Sequence, residues 1–326
     1  MTFNRRKFLG AAALAPVALA APALIRFGGA AIAQTASPVT PAFIRRKVGE
    51  IEVFALMDGF GVFPTAMLSG FDPAKAEASA NAAHKPFEGQ QMTIGINAYL
   101  VKTGDRIIAV DAGAPSAMGP TVAQWAASLA AAGFSPDQVD TVFLTHLHAD
   151  HVGGLADATG AATLPKAQLV TAEAEWAFTH DAAVYAALPA EFQPMIDTSR
   201  AMVKPYDAVK TLIQPGDEIA PGLTTVAMPG HTPGHLGLRI DSGKESLLIW
   251  GDLLHSTAFQ FANPEWSIAF DADQAMAAAS RKAALDMVSA DGMMVAGMHL
   301  DFPGFGYVEK AAQGYAFTAA PYDYRT

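Results

Sequence analysis

Three histidines and an aspartate lie within six residues in the run Thr145-His146-Leu147-His148-Ala149-Asp150-His151, and no other feature of the chain constrains its fold so tightly. A lone histidine is ordinarily a satisfied core residue. Four such side chains together are costly to bury unless each finds a partner, and a metal ion accepts all of them at once. On an extended segment, side chains at i and i+2 point to the same side. His146 and His148 can therefore share one ion, and Asp150 and His151, in the turn that follows, can face a second. The chain has no cysteine, which excludes disulfides, thiolate metal sites, iron–sulfur clusters and cysteine nucleophiles. Any metal is held by nitrogen and oxygen, a donor set that suits zinc.

The motif sits in a repeating pattern of strands and helices. Residues 141–145 read as a short β-branched strand, so the histidines begin where a strand stops. Residues 50–58 and 97–102 alternate apolar and polar positions as strands do, and 106–111 is a short buried run ending at Asp111-Ala112-Gly113. Residues 120–132 have helical spacing, with Pro120 at the start and Gly133 at the end. Further strands are expected around Val170 and over 224–227, 236–240 and 247–250. A long Ala-rich helix is expected over 271–289, and a last strand over 293–296 delivers His299. With 326 residues, 51% of them hydrophobic, the chain can fill one sizeable α/β core or two small ones. Loops at strand ends on a rigid sheet are where sites are built.

The N-terminus reads as an address. Arg5-Arg6-Lys7-Phe8-Leu9-Gly10 precedes an apolar run over 11–25 that Pro16 and Pro22 interrupt, and Ala31-Ile32-Ala33 fits a small-x-small cleavage site. This resembles a twin-arginine export signal over 1–33. It leads to a periplasmic or secreted single domain over 34–326 with no membrane anchor after processing. The formal net charge is −10; without the four bases of 1–33 it is −14, from 17 basic and 31 acidic residues. Such a surface repels nucleic acid and anionic membrane and suits neutral or cationic substrates.

The pattern His-x-His-x-Asp-His, continued by Val152-Gly153-Gly154, resembles the signature of the metallo-β-lactamase superfamily. Pro229-Gly230-His231-Thr232-Pro233-Gly234-His235, Trp250-Gly251-Asp252 and His299 carry the resemblance onward, so that it spans roughly residues 45–310. It implies an αββα sandwich, mixed β-sheets flanked by helices, with two divalent ions at one edge. His146, His148 and His231 would hold the first ion and Asp150, His151 and His299 the second, with Asp252 bridging both. Zinc is the first expectation for the ions, with manganese, cobalt or iron as alternatives at the second, more oxygen-rich position. A histidine at 148 disfavours the flavodiiron branch, and Asp252 without any cysteine disfavours the best-known zinc β-lactamases. Glyoxalase II and RNase Z-like enzymes share the seven ligands, but the export signal argues against both and the acidic surface against RNA.

Three stretches bring the chain nearest to the methyl parathion hydrolase group and related lactonases. They are Gln138-Val139-Asp140 through Gly154, Gly230 to His235, and Ala296-Gly297-Met298-His299-Leu300-Asp301-Phe302-Pro303-Gly304-Phe305-Gly306. That resemblance implies a homodimer and a small neutral ester, lactone or phosphotriester as substrate. It also implies a metal-bridging hydroxide as nucleophile and Asp150 as the group that orients it. In acyl-homoserine lactonases a tyrosine at the spacing of His255 donates to the substrate carbonyl, so His255 is expected to donate likewise or to act as general acid. A backbone-bonded loop histidine is the plain alternative. His235, Asp58 and Asp111 are expected to orient ligands or to serve as turn and strand caps. Met118, Phe259, Phe261, Phe302, Phe305 and Trp266 are candidates for an apolar pocket, with core filling as the alternative. His84 and His180 read as surface residues. The leading expectation is a lactonase with phosphotriesterase side activity. A dedicated organophosphate hydrolase and a non-catalytic metal-binding protein are the alternatives.

Overall fold

The computed structural model describes residues 39–85, 87, 89–190 and 192–325. The expected export signal and the expected start of the mature chain at Gln34 lie outside the described residues. In chain order the elements are β1 (Phe43–Val48), β2 (Ile51–Pro64), β3 (Leu68–Ser69), α1 (Pro73–Ala82), β4 (Gln91–Thr103), β5 (Arg106–Val110), α2 (Trp125–Ala131), β6 (Thr141–Phe143) and α3 (Ala149–Val152). Next come β7 (Gln168–Ala172), α4 (Glu173–His180), α5 (Ala182–Ala187), α6 (Gln193–Val203), β8 (Lys210–Ile213), β9 (Glu218–Ala220), β10 (Leu223–Ala227), β11 (Leu236–Ser242) and β12 (Glu245–Ile249). The chain ends with β13 (Ser267–Ile268), α7 (Gln274–Asp291), β14 (Met294–Ala296), β15 (Gly306–Lys310) and β16 (Tyr315–Ala319).

Two seven-stranded sheets result, ordered β1-β2-β4-β5-β6-β7-β8 and β16-β15-β14-β12-β11-β10-β9, with β3 and β13 forming a small separate ribbon. Period-two burial shows how they face each other. In β2, Val53 and Ala55 join β4's Tyr99 and Val101 and β12's Leu247 and Ile249 in one core between the sheets. Their neighbours Phe54, Leu56, Ala98 and Leu100 turn the other way and pack on α2 through Trp125 and Leu129. On the far side, Leu248 and Val295 pack on Ala284, Leu285 and Val288 of α7. The layers are thus helix, sheet, sheet, helix, the expected αββα sandwich. Among the described residues, no helix is long and apolar enough to cross a membrane.

Strand direction brings the chemistry to one edge. β5 and β6 are parallel, so Asp111 and His146 leave the first sheet side by side. β11 is antiparallel to both β10 and β12, and β12 is parallel to β14. β10, β12 and β14 therefore run the same way, and their C-terminal ends release His231, Asp252 and His299 at a common edge.

Two expected helices begin later than their spacing suggests. Residues 120–124 are not helical, and α2 starts at Trp125. Their backbone serves β2 instead: Phe60 N donates to Thr121 O (3.1 Å), Gln124 N to Asp58 O (3.1 Å), and Ala123 N and Trp125 N to the Asp58 carboxylate (3.1 and 2.9 Å). Ala123 takes a left-handed φ of 68° to make that turn. The long helix expected from residue 271 starts at Gln274, capped by Asp273, whose side chain accepts from Met276 N. Asp271 is left outside the helix, facing the site.

Candidate metal centre

Four of the five ligand rings are gripped from behind. His151 Nδ1 donates to Asp111 Oδ2 at 2.7 Å, His231 Nδ1 to Asp271 Oδ1 at 2.8 Å, and His299 Nδ1 to Gly95 O at 2.7 Å. Thr145 donates through both N and Oγ1 to Asp111, each at 2.9 Å, which leaves its hydroxyl free to accept from His146 Nδ1 at 3.1 Å. These bonds fix the tautomers. Nδ1 carries the proton in all four, so Nε2 presents a bare lone pair. Asp111 holds its position at φ 61°, in the left-handed region that non-glycine residues seldom enter.

The lone pairs converge on Asp252. Its Oδ2 lies 3.0 Å from His299 Nε2, 3.2 Å from His231 Nε2 and 3.6 Å from His146 Nε2, and its Oδ1 lies 3.1 Å from His151 Nε2. His231 Nε2 also meets His148 Nδ1 at 2.9 Å. Asp150 Oδ2 stands 3.5 Å from His299 Nε2 and 3.7 Å from His151 Nε2. Ligand atoms fall into a group of His146, His148, His231 and Asp252 and a group of Asp150, His151 and His299, the atoms of each within 4.8 Å of one another. His146 Nε2, His151 Nε2 and Asp252 Oδ1 are buried with no hydrogen-bond partner. Bare nitrogens and carboxylate oxygens facing each other repel unless a cation lies between them. The donor set fits two metal ions, and the structure brings together all seven residues expected to hold them.

The electrostatics point the same way. Burial pushes His146 well below the usual histidine range and His148 down to about 3. Burial also opposes charge on His231, but the Asp252 and Asp271 carboxylates outweigh it and raise the ring to about 9. A site left to protons would thus share them unevenly among rings that are built alike.

His255 joins this cluster: its Nε2 is 3.1 Å from Asp252 Oδ2, its ring stacks on His299 with centroids 5.0 Å apart, and its Nδ1 is buried without a partner. It also groups with Asp252 and His299 as a possible donor set. His235 is an internal brace. Its Nδ1 donates to Met228 O at 2.8 Å and its Nε2 accepts from Asp252 N at 3.0 Å. A Cβ at Gly251 would sit 2.3 Å from that Nε2, so only glycine allows the brace so close. Asp58 touches no ligand. It accepts from the backbone of Ala114, Ala123 and Trp125.

The aromatic candidates divide differently from expectation. Phe259 and Trp266 are buried in a satellite core with Phe71 and Phe87, Phe261 stacks on Phe317 behind the second sheet, and Phe305 lies between the sheets against Tyr99. These are core residues, because the loops that carry them fold back onto the sandwich. Phe302 is half-buried and Met118 is 45% exposed in a turn of its own. His84 and His180 are exposed, with His180 stacked on Trp176.

Three supporting residues carried no recognisable sequence signal. Asp271 was hidden in an apparent helix. Arg281, fully buried on α7, donates to Leu253 O, Pro264 O and Trp266 O at 2.7–2.9 Å and stands 3.6 Å from Asp271. Glu175, buried on α4, accepts from Leu147 N and Thr232 Oγ1.

The chain belongs to the metallo-beta-lactamase superfamily, whose family model matches residues 93–299. Two curated relatives, probable metallo-hydrolases of Mycobacterium bovis and Mycobacterium tuberculosis, are each 30% identical over 129 residues. That stretch covers 38% of this chain and 39% of each relative's length. Among solved structures, the hydrolase AbOPH of the beta lactamase superfamily aligns with a TM-score of 0.82 and 30% identity over 87% of this chain and 99% of that one. AidC, a dizinc quorum-quenching lactonase solved with an N-hexanoyl-L-homoserine product, aligns with a TM-score of 0.80 and 26% identity over 87% of this chain and 99% of that one.

Proposed function

We propose that this protein is a binuclear metal-dependent hydrolase of small neutral esters, with lactones as its preferred class and phosphotriesters as a side activity. The observation that carries the hydrolase reading is the convergence of seven nitrogen and oxygen donors from separate loops onto Asp252. The lactone preference draws on the similarity to AidC. Zinc is the ion proposed, at both positions.

When bound, such an ion pair supplies Lewis acidity and lowers the pKa of water toward about 7. The chain's own groups do the rest. The Asp150 side chain is 19% exposed, where Asp252 and His299 are each 3% exposed. Burial alone would raise it, but His151 and His299 hold it below the usual carboxylate range. It is thus an ionised acceptor on the open side of the cluster, placed to orient the attacking water and to pass a proton to the leaving group. His255 Nε2 donates to Asp252, since two bare atoms 3.1 Å apart would repel. In that tautomer the unpartnered Nδ1 accepts. A substrate N–H or O–H suits it as the ring stands, and the expected donation to a carbonyl requires the other tautomer. Met118 and Phe302 are proposed to border the acyl side of the substrate.

The proposal extends to an exported, periplasmic or secreted enzyme made as a single domain over 34–326 and working as a homodimer. The test is elemental analysis of purified protein together with turnover on an acyl lactone, a simple ester and a nitrophenyl phosphotriester. Two ions per chain and the fastest turnover on the lactone are expected. Faster phosphotriester turnover would make it a dedicated organophosphate hydrolase, and two bound ions with no turnover at all a metal-binding protein. Within that assay, His255→Leu is expected to lower lactone turnover by about 10²-fold at full metal content; unchanged turnover would remove His255 from the mechanism.

A further inference from the structure

We infer that Glu175 is a positioning residue that fixes the spacing between the loop carrying His146 and His148 and the loop carrying His231, and thereby sets how tightly the first metal position is held. The inference rests on the binuclear reading of the site.

Glu175 lies in the first turn of α4, is 1% exposed, and contacts no ligand ring through a hydrogen bond. Its Oε1 accepts from Leu147 N at 3.0 Å and its Oε2 from Thr232 Oγ1 at 2.5 Å. Leu147 is the residue between His146 and His148, and Thr232 directly follows His231. These are the three histidines of one ligand group. The two loops leave different sheets, one after β6 and one after β10, so a single carboxylate ties the sheets together at this point. The Leu147 side chain is locked into the outer core while its N–H is held by Glu175. The peptide is thus fixed on both sides, and with it the directions of the rings at i and i+2. The loop of His231 is pressed onto α4 as well: a Cβ at Gly234 would lie 2.2 Å from Glu175 N.

No lysine, arginine or histidine pairs with this carboxylate among the described residues. Burying a carboxyl group is costly unless its oxygens are hydrogen-bonded, and here each oxygen has a donor. The carboxylate suits a task that needs two strong acceptors a fixed distance apart. Asp111 and Asp271 grip ligand rings; Glu175 grips the backbones that carry them. Of the ligands of the second position, His151 is held by Asp111 and His299 by the Gly95 carbonyl, so loss of the Glu175 tie is expected to act on the first position.

Zinc release to a chromophoric chelator and the visible spectrum of cobalt-loaded protein test this in wild type, Glu175→Gln, Glu175→Ala and Thr232→Val. One of two ions is expected to leave about tenfold more readily in the variants, with the spectrum altered for that ion and the other ion unaffected. Gln keeps one acceptor, so its effect should be smaller than that of Ala. Glu175→Gln combined with Thr232→Val should be no worse than the stronger single change, because both remove the same tie. Wild-type release from the variants overturns the inference. So does an equal weakening of both ions together with a lower melting temperature of the metal-free protein, which marks a merely structural role. If neither Glu175 variant folds, Thr232→Val decides alone, and normal zinc release from it rejects the tie. A wild type that binds no metal sinks the binuclear reading and this inference together; normal binding with unaffected variants sinks only the inference.

Discussion

The two sheets furnish the site in different ways. The first supplies four donors, His146, His148, Asp150 and His151, within six residues at the end of one strand. The second supplies His231, Asp252 and His299 from three strand ends spread over sixty-nine residues of sequence. The supports follow the same division. In the first half one carboxylate, Asp111, serves both His151 directly and His146 through Thr145. In the second half each donor has its own partner: Asp271 for His231, the Gly95 carbonyl for His299, and His235 for the backbone of Asp252. Two of the contiguous donors share one anchor and fail together, while the dispersed donors are anchored singly and fail singly.

Asp252 is where the halves meet, with His151 on one carboxylate oxygen and His231 and His299 on the other. Asp252→Ala therefore has the largest expected effect. Elemental analysis should show at least one ion lost per chain, and ester turnover should fall by more than the about 100-fold that supporting residues command. Retention of both ions would mean that the halves bind independently and that nothing bridges them.

The anchors come next. Asp111→Asn and Asp271→Asn each replace a carboxylate behind a ring with an amide, and each should weaken metal binding by about 10–100-fold. Asp111 serves two rings, His151 directly and His146 through Thr145, whereas Asp271 serves one ring, along with Ile268 N and the buried Arg281 guanidinium. Chelator competition should therefore rank Asp111→Asn as the more damaging. The opposite ranking would break the contrast between shared and single anchoring.

What the sequence disclosed follows this contrast too. The first half was legible because its donors are adjacent, and adjacency of costly residues is itself a signal. His231, Asp252 and His299 were found because each stands just beyond a strand and fits a family pattern. Of their anchors, His235 is legible in the same motif as His231, whereas Asp271 and the Gly95 carbonyl are not. Asp271 sits in helical spacing, yet the helix starts at Gln274 behind its N-cap Asp273, and a lone Asp carries no mark of its partner forty residues away. The helix expected from Pro120 failed for a related reason. Local spacing is helical there, but Asp58 and Phe60 of β2 claim the backbone for themselves. Phe259 and Phe261 lie near the ligands in sequence, but packing of their loop against other aromatics decides their place. Period-two alternation is clean only where one face of a strand is open, as at Ile51-Glu52-Val53; from Val53 to Leu56 both faces are buried and the run is continuously apolar.

The smallest effect is expected at the other end of the sandwich. There the C-terminal residues lace the sheets together: Asp323 Oδ2 accepts from Lys47 N at 3.0 Å and Oδ1 from Arg325 Nε at 2.9 Å, while Arg325 donates to Glu245 at 2.6 Å and to Lys47 O at 2.9 Å. Lys47 belongs to β1 of the first sheet. Glu245 opens β12 of the second, at the end away from Asp252. Hydrogen bonding to Arg325 holds the Asp323 carboxyl well below the usual carboxylate range. Its folded-state pKa is therefore depressed, so its stabilisation is complete above the unfolded value of about 4 and is lost as pH falls through the lower folded value. Arg325 is half-exposed, which limits the gain to about 1 kcal/mol or less. Urea denaturation should show Asp323→Asn less stable than wild type by that margin at pH 7, with the gap narrowing below about pH 4 and metal content unchanged throughout. A loss of metal in this variant would show that the two ends of the sandwich are coupled and that the sheets are not held independently at the site and at the tail.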